Sequence, residues 1–440
     1  MKKALHILLV AALQVILLSA CSSGGNGGDT PSATNGAGNS TTANKPGTQE
    51  SAKKVELRVM LGQPRFKEQF EKYFDQFKAK ELAEKNIDVT IELEMPNPEQ
   101  AKQVLQSRLA SNDAPDIFDV HANDLATYNK AGYLEDLSSQ PFVSTLYESV
   151  KNTVTLDGKV VALPMESLSW GYLYNKKIFA DNGITPPQTL DEMKAVVEKL
   201  KANNVKPFLL AFQEAWVPQL MTALSLGGIV SSEHPDWIDK MNKGEASYKD
   251  VQDIFNIIDL IMANGTAKPF EVGNEAGSTD FANGKAAMWV QGPWNAETIL
   301  KVSPEMEFGV APLPVSNNPA GTMINLSTST SLVVSPTSPN KEVALDLLNY
   351  ILDEKDSSAF FEGLKFNPVS SVHHYEVFPW VDEASKYVEQ GKAYQDLKLP
   401  NGVTDEQAKL LQSYFTKELS KEEFIKTMDR TWAAAVKNTQ

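Results

Sequence analysis

An α/β protein of two lobes is what this sequence predicts, on three observations. Its 440 residues exceed what one hydrophobic core ordinarily serves. Strand-like and helix-like patterns alternate over residues 55–120 and again over 170–312. Between them lies Leu163–Glu192, which begins as a buried strand with one charged residue, Glu166, at its mouth. It ends in Pro186-Pro187 and the capping-box spacing Thr189-Leu190-Asp191-Glu192. A passage from one lobe to the next is a natural floor for a ligand cleft.

The amino-terminal 20 residues fall outside this pattern. Lys2-Lys3 precede a run, Leu5 to Leu18, that is apolar except for His6 and Gln14. This is the pattern of a signal peptide, too short to span a membrane. Ser19-Ala20 before Cys21, the single cysteine of the chain, resemble the bacterial lipobox. That resemblance implies cleavage before Cys21, acylation of its thiol with a fatty acid such as palmitate, and anchorage at the outer face of the cell membrane. Residues 21–54 are mostly Gly, Ser, Thr, Asn and Ala with almost nothing to bury, as a flexible tether requires. A net charge of −15 argues against a nucleic-acid partner, which would want a basic face.

In the first lobe, Val55, Leu57, Val59 and Leu61 alternate as in a strand, and Phe66, Phe70, Tyr73, Phe74 and Phe77 form a helical stripe. Ile87–Leu93 alternates again, Pro98–Ala110 reads as a helix, and Ile117–Val120 is a short buried strand. The order favours a parallel sheet, whose ligands sit beyond the carboxyl ends of its strands. Gln63 and Arg65 follow the first strand. Asp119, His121, Asn123 and Asp124 cluster at the end of the third. Capping and loop solvation compete with ligand contact for these residues. Val154–Pro164 reads as a hairpin turning at Asp157-Gly158.

In the second lobe, Trp170–Tyr174 reads as a strand, Met193, Val196, Val197 and Leu200 as a helix face, and Pro207–Phe212 as a buried strand ending at Gln213-Glu214-Ala215-Trp216. Leu220–Leu226 reads as a helix stopped by Gly227-Gly228, and Ser231–Ser247 as surface. Gly292-Pro293-Trp294-Asn295 is a tight turn opening a helix. An indole held in such a turn loses little entropy on binding and offers a flat apolar face, which suits the C–H face of a sugar. Trp170, Trp216 and Trp294 all fall near expected strand mouths. For each, the competing expectation is an ordinary place in the core. Asn325–Val334 reads as one strand, and helices follow at 342–353, 383–390, 404–418 and 421–437.

The ordered set APDIFDVHAND, AGYLEDL, DGKVVALP, LYNKKIFADNGITPPQTLDEM, FANGKAAMWVQGPWN, FGVAPLP and SPTSPNKEVALDLLNYI resembles the extracellular solute-binding proteins of ATP-binding-cassette importers, within the sugar-binding family that includes maltose-binding protein. The resemblance covers roughly residues 55–435. It implies a periplasmic-binding-protein type II-like fold, with 55–164 plus 325–365 as lobe 1 and 165–324 plus 366–440 as lobe 2, joined by a hinge of three crossings. It also implies a monomer that performs no catalysis, holds a carbohydrate between its lobes and passes it to a membrane permease. Trp294 falls in the family's Gly-Pro-Trp turn, where the ring stacks on sugar, and Glu166 and Glu214 fall on matching carboxylates. Val120, Asn123 and Asp124 depart from the family pattern, which implies different first-lobe contacts and a different ligand.

The expected ligand set is therefore Gln63, Arg65, Asp119, His121, Asn123, Asp124, Glu166, Trp170, Glu214, Trp216 and Trp294. No cofactor and no metal are expected. His373-His374 has no third ligand at metal spacing. Two alternatives share these residues. A surface glycoside hydrolase would pair Glu166 with Glu214, and a sensor subunit would report ligand state to a membrane receptor.

Overall fold

The computed structural model describes residues 51–328 and 330–439. The expected signal peptide, Cys21 and nearly all of the tether lie outside the described residues. Strand β1 (Lys53–Met60) pairs in parallel with β2 (Ile87–Glu94) and with β3 (Ile117–His121), as the strand–helix–strand order requires. β4 (Thr155–Leu156) and β5 (Lys159–Val160) form the expected hairpin. Its turn residues Asp157 and Gly158 both have positive φ, the conformation a tight two-residue hairpin loop demands.

The chain then leaves the first sheet. β6 (Leu163–Pro164) still belongs to it, but β7 (Ser167–Trp170) and β8 (Tyr172–Asn175) lie in two other sheets. Trp170–Tyr174 is thus two strands broken at Gly171. A Cβ there would stand 2.1 Å from the backbone oxygen of Ala311. β8 is flanked by β9 (Met288–Trp289) and β10 (Phe308–Ala311). The stretch expected as one strand, Asn325–Val334, is also two. β11 (Ile324–Thr328) pairs with β7, whereas β12 (Thr330–Val334) returns to the first sheet between β3 and β6. β13 (Ala393–Gln395) completes the sheet of β11 and β7.

The first sheet sits on one apolar core, and the two three-stranded sheets share two more. The first core contains Leu57, Phe66, Phe118, Leu163, Val333 and Phe361, and extends to Phe366 and Val369. A second contains Leu168, Phe208, Leu224, Ile258 and Trp432. A third contains Leu173, Trp289, Phe308 and Trp380. Chain crossings join the first core to the other two. At one of them Asn367 Nδ2 donates to the carbonyl of Ser167 at 2.6 Å, tying two crossings together.

Two local expectations change. Ser231–Ser247 is not simply surface: Trp237 is buried, donates from Nε1 to the carbonyl of Ser247 at 3.1 Å and packs edge-on against Tyr248 and Trp432. Gly227-Gly228 do not stop a helix, because Trp216–Glu233 runs through them. They are glycines for packing. A Cβ at Gly227 would lie 2.3 Å from the Tyr394 ring, and one at Gly228 would lie 2.9 Å from Val315.

Gly227→Ala is a sensitive test of this packing. Alanine improves helix propensity by about 1 kcal/mol, so a solvent-exposed glycine would gain stability on substitution. Against Tyr394 the expected outcome is a net loss of about 1–2 kcal/mol from overpacking, read from urea denaturation. A gain would show that the ring moves aside freely.

Candidate functional site

A cavity of about 360 Å³ lies where the crossings meet the carboxyl ends of β1 and β3. The Gly62 N–H, just past β1, donates to both carboxylate oxygens of Asp119 at 3.0 Å. This clamp aligns the two strand ends. Gln63 follows and donates from Nε2 to Thr330 Oγ1 of β12. Pro64–Phe66 then forms a single 3₁₀ turn, with Arg65 lying over the Phe66 ring at 4.4 Å. Glu166, in the crossing between β6 and β7, is 3% exposed and faces the same cavity. Burial pulls the Arg65 guanidinium below its usual value, and the attraction of Glu166 opposes that pull. Burial likewise pushes the Asp119 carboxyl up to about 6, against the effect of the Gly62 N–H.

The opposite wall is aromatic. Trp170 ends β7, Trp216 starts the Trp216–Glu233 helix, and Trp294 sits in the 3₁₀ turn Pro293–Asn295. All three line the cavity, and Trp170 and Trp294 meet edge to face at 5.4 Å. The Trp294 ring folds back over Gly292, where a Cβ would stand 2.0 Å from it, so only glycine fits there. The turn is held from behind by buried amides. Gln291 Nε2 donates to Asn274 Oδ1 at 2.8 Å, and Asn274 Nδ2 donates to Asn295 Oδ1 at 3.0 Å.

Nine of the eleven expected residues line this cavity: Gln63, Arg65, Asp119, His121, Asp124, Glu166, Trp170, Trp216 and Trp294. Two do not. Asn123 turns its Nδ2 toward Asp396 Oδ2 at 3.4 Å. Glu214 accepts the backbone N–H of Asn274 at 2.9 Å, where the Asn274–Ala282 helix begins and its N–H groups lack partners of their own. Glu214 therefore braces the amide cluster behind Trp294. The Glu166–Glu214 pair that a hydrolase would need does not face one cavity. His373, buried, shares its Nε2 with Ser357 Oγ at 2.8 Å and accepts the Val369 N–H at Nδ1. Burial lowers it to about 4, as for a neutral core histidine.

Lys102, Tyr128, Thr330 and Asp396 also line the cavity and were not anticipated. Lys102 and Tyr128 lie on helices whose polar faces read like any solvated face. Asp396 reaches the site through the β13–β11 pairing, which has no local signature. Only Thr330 left a trace, in the Ser/Thr alternation of a strand that should otherwise be apolar. Burial works against the Lys102 charge, but Asp124 and Asp405 outweigh it and hold the ammonium above the usual lysine value. Burial raises the Asp396 carboxyl, with His121 pulling the other way.

A family model described as bacterial extracellular solute-binding protein matches residues 63–357. The multiple sugar-binding protein of Streptococcus mutans is 28% identical over 258 residues, 55% of this chain and 61% of that protein. An uncharacterized ABC transporter extracellular-binding protein of Pyrococcus horikoshii is 29% identical over 235 residues, 48% of this chain and 50% of that protein. The chain thus matches half to three fifths of the length of these two relatives. A Bacillus licheniformis sugar transporter structure in complex with stachyose superposes with a TM-score of 0.76 at 19% identity, covering 87% of this chain and 100% of that one. The shared α/β fold is therefore that of periplasmic binding proteins.

The raised Asp119 carboxyl has a measurable consequence. The folded protein favours its neutral form between the ordinary 3.8 and about 6. As pH rises through that window the unfolded chain ionises first, so stability falls. Wild type is expected to lose on the order of 1–2 kcal/mol more than Asp119→Asn between about pH 4 and 6, after allowance for solvent screening. Denaturant titrations along the pH series check this, and parallel curves would remove the assignment.

Proposed function

Because this chain belongs to the bacterial extracellular solute-binding protein family, a family of binders without catalysis, we propose that it captures a carbohydrate in the cavity between its two lobes and delivers it to the permease of an ATP-binding-cassette importer. The observation that carries this reading is the juxtaposition of three indoles on one wall with Asp119, Glu166, Gln63 and Arg65 on the other. A sugar offers apolar C–H faces for stacking and hydroxyl edges for charged and amide partners. The names of the relatives, a multiple sugar binder and a stachyose complex, support a saccharide, and the presence of three indoles on the cavity supports an oligosaccharide.

The lobes in this reading are residues 55–164 with 330–369, and 167–328 with 380–439; the expected joints at 325 and 366 move because β11 pairs with β7 and because Phe366 and Val369 pack in the first core. A ligand touching both biases the hinge toward closure, which gives a permease two forms to distinguish. Cys21, acylated, holds the protein at the extracytoplasmic membrane face, and residues 22–54 give it reach. The protein acts as a monomer.

A thermal-shift screen of mono- and oligosaccharides tests the ligand class, because a ligand for the native state raises the midpoint. A flat response to sugars with a hit among peptides or anions would remove it. On the best saccharide, Trp294→Ala is expected to weaken binding by about 1–3 kcal/mol through lost stacking, measured by calorimetry. Unchanged affinity would remove Trp294 from the contact. Cys21→Ala should move the protein from the membrane fraction to the soluble one, and retention in the membrane fraction would overturn the anchor.

A further inference from the structure

The cavity is bridged by contacts that no chain crossing explains. Lys102 lies on the Pro98–Ala110 helix, whose Leu105 and Leu109 pack in the first core. Asp405 lies in the first turn of the Val403–Phe415 helix, whose Val403 and Leu411 pack in the second. Their charged ends meet at 3.4 Å, although 303 positions separate them in sequence. On its own side Lys102 is held by Asp124 at 3.3 Å, which points the ammonium across the gap. A second contact runs in parallel, from Asn123 Nδ2 on the first lobe to Asp396 Oδ2 on the second.

We infer that the Lys102–Asp405 ion pair, with Asn123–Asp396 beside it, is a latch across the cleft that sets the closed population and hence the affinity for an uncharged ligand. The inference rests on the two-lobed binding reading above. Any separation of the lobes breaks both contacts, whereas the Lys102–Asp124 pair, within one lobe, survives opening. The latch therefore contributes only to the closed form, which is the condition for shifting a two-state equilibrium. Asp405 makes no contact with the cavity. It is a positioning residue acting through Lys102.

The consequence is unusual for a neutral ligand. Salt screens an exposed pair, so binding of an uncharged saccharide should weaken as ionic strength rises. Partly exposed pairs of this kind alter equilibria by about two- to five-fold. The test measures the Kd of a neutral oligosaccharide from the screen at about 20 and 500 mM NaCl, and the radius of gyration of the ligand-free protein by small-angle scattering at both salts. In wild type the Kd should rise about two- to five-fold with salt and the radius should increase. In Asp405→Asn the low-salt Kd and radius should already match the high-salt values, and the salt response should vanish. Asp405→Glu should restore both. Asp181→Asn, which removes a pair within one helix, should behave as wild type. Lys102→Gln gives a second scattering variant should Asp405→Asn fold poorly. A wild-type radius and salt response in Asp405→Asn or Lys102→Gln would overturn the latch. Failure of every saccharide to bind would instead overturn the sugar reading, while the ligand-free scattering would still decide the latch.

Discussion

The constraint on which the rest of this molecule depends is that its chain passes repeatedly between apolar cores that do not merge. The first sheet buries its apolar face in one core, and the two three-stranded sheets bury theirs in two others. What remains between them is polar backbone and the ends of strands. Those ends carry unpaired groups and side chains that no core can absorb. A cavity at that junction is where the chain must put its charged and aromatic residues, and the crossings fix their positions. Gly62, Asp119 and Thr330 show how tightly. One glycine N–H holds a carboxylate at the end of β3, and Gln63, next in the chain, is tied to β12.

The aromatic wall shows a second layer of the same economy. Trp294 owes its place to a turn that only glycine permits at position 292, and that turn is fastened by Asn274, Gln291 and Asn295. Glu214 caps the helix that carries Asn274. A buried amide cluster is costly if any member lacks a partner, so the group is rigid as a unit. The carboxylate that sequence comparison suggested as a ligand contact thus has a structural duty behind the platform.

Much of the fold was legible because it rests on local patterns. Alternation marked the first two strands, a short apolar run marked the third, and the phenylalanine stripe marked the long helix between the first two. What failed was long-range. Gly227-Gly228 look like a helix stop, and only the Tyr394 ring, 167 positions away by number, explains why the helix continues. Asn325–Val334 looks like one strand because Ser and Thr alternate from Ser327 to Ser331 between apolar flanks with no turn residue among them, yet its halves pair in different sheets. For the site, strand ends and the Gly-Pro-Trp turn pointed to nine lining residues. Glu214 and Asn123 misled because a carboxylate or amide beside a strand mouth can as easily serve a helix terminus or a neighbouring side chain. Lys102 and Asp396 escaped because their meaning lies in partners from distant segments.

The edge-to-face contact of Trp170 and Trp294 has an optical meaning. Two indoles with centres 5.4 Å apart and planes inclined by 63° form an asymmetric pair. Their excited states couple, and the coupling depends on mutual orientation. Both rings line the cavity but stand on separate supports, a strand end and a glycine-dependent turn. A change in the angle between those supports therefore changes the near-ultraviolet circular dichroism. The protein carries within its own wall a chromophore pair that reports how the cleft is dressed, without any added label.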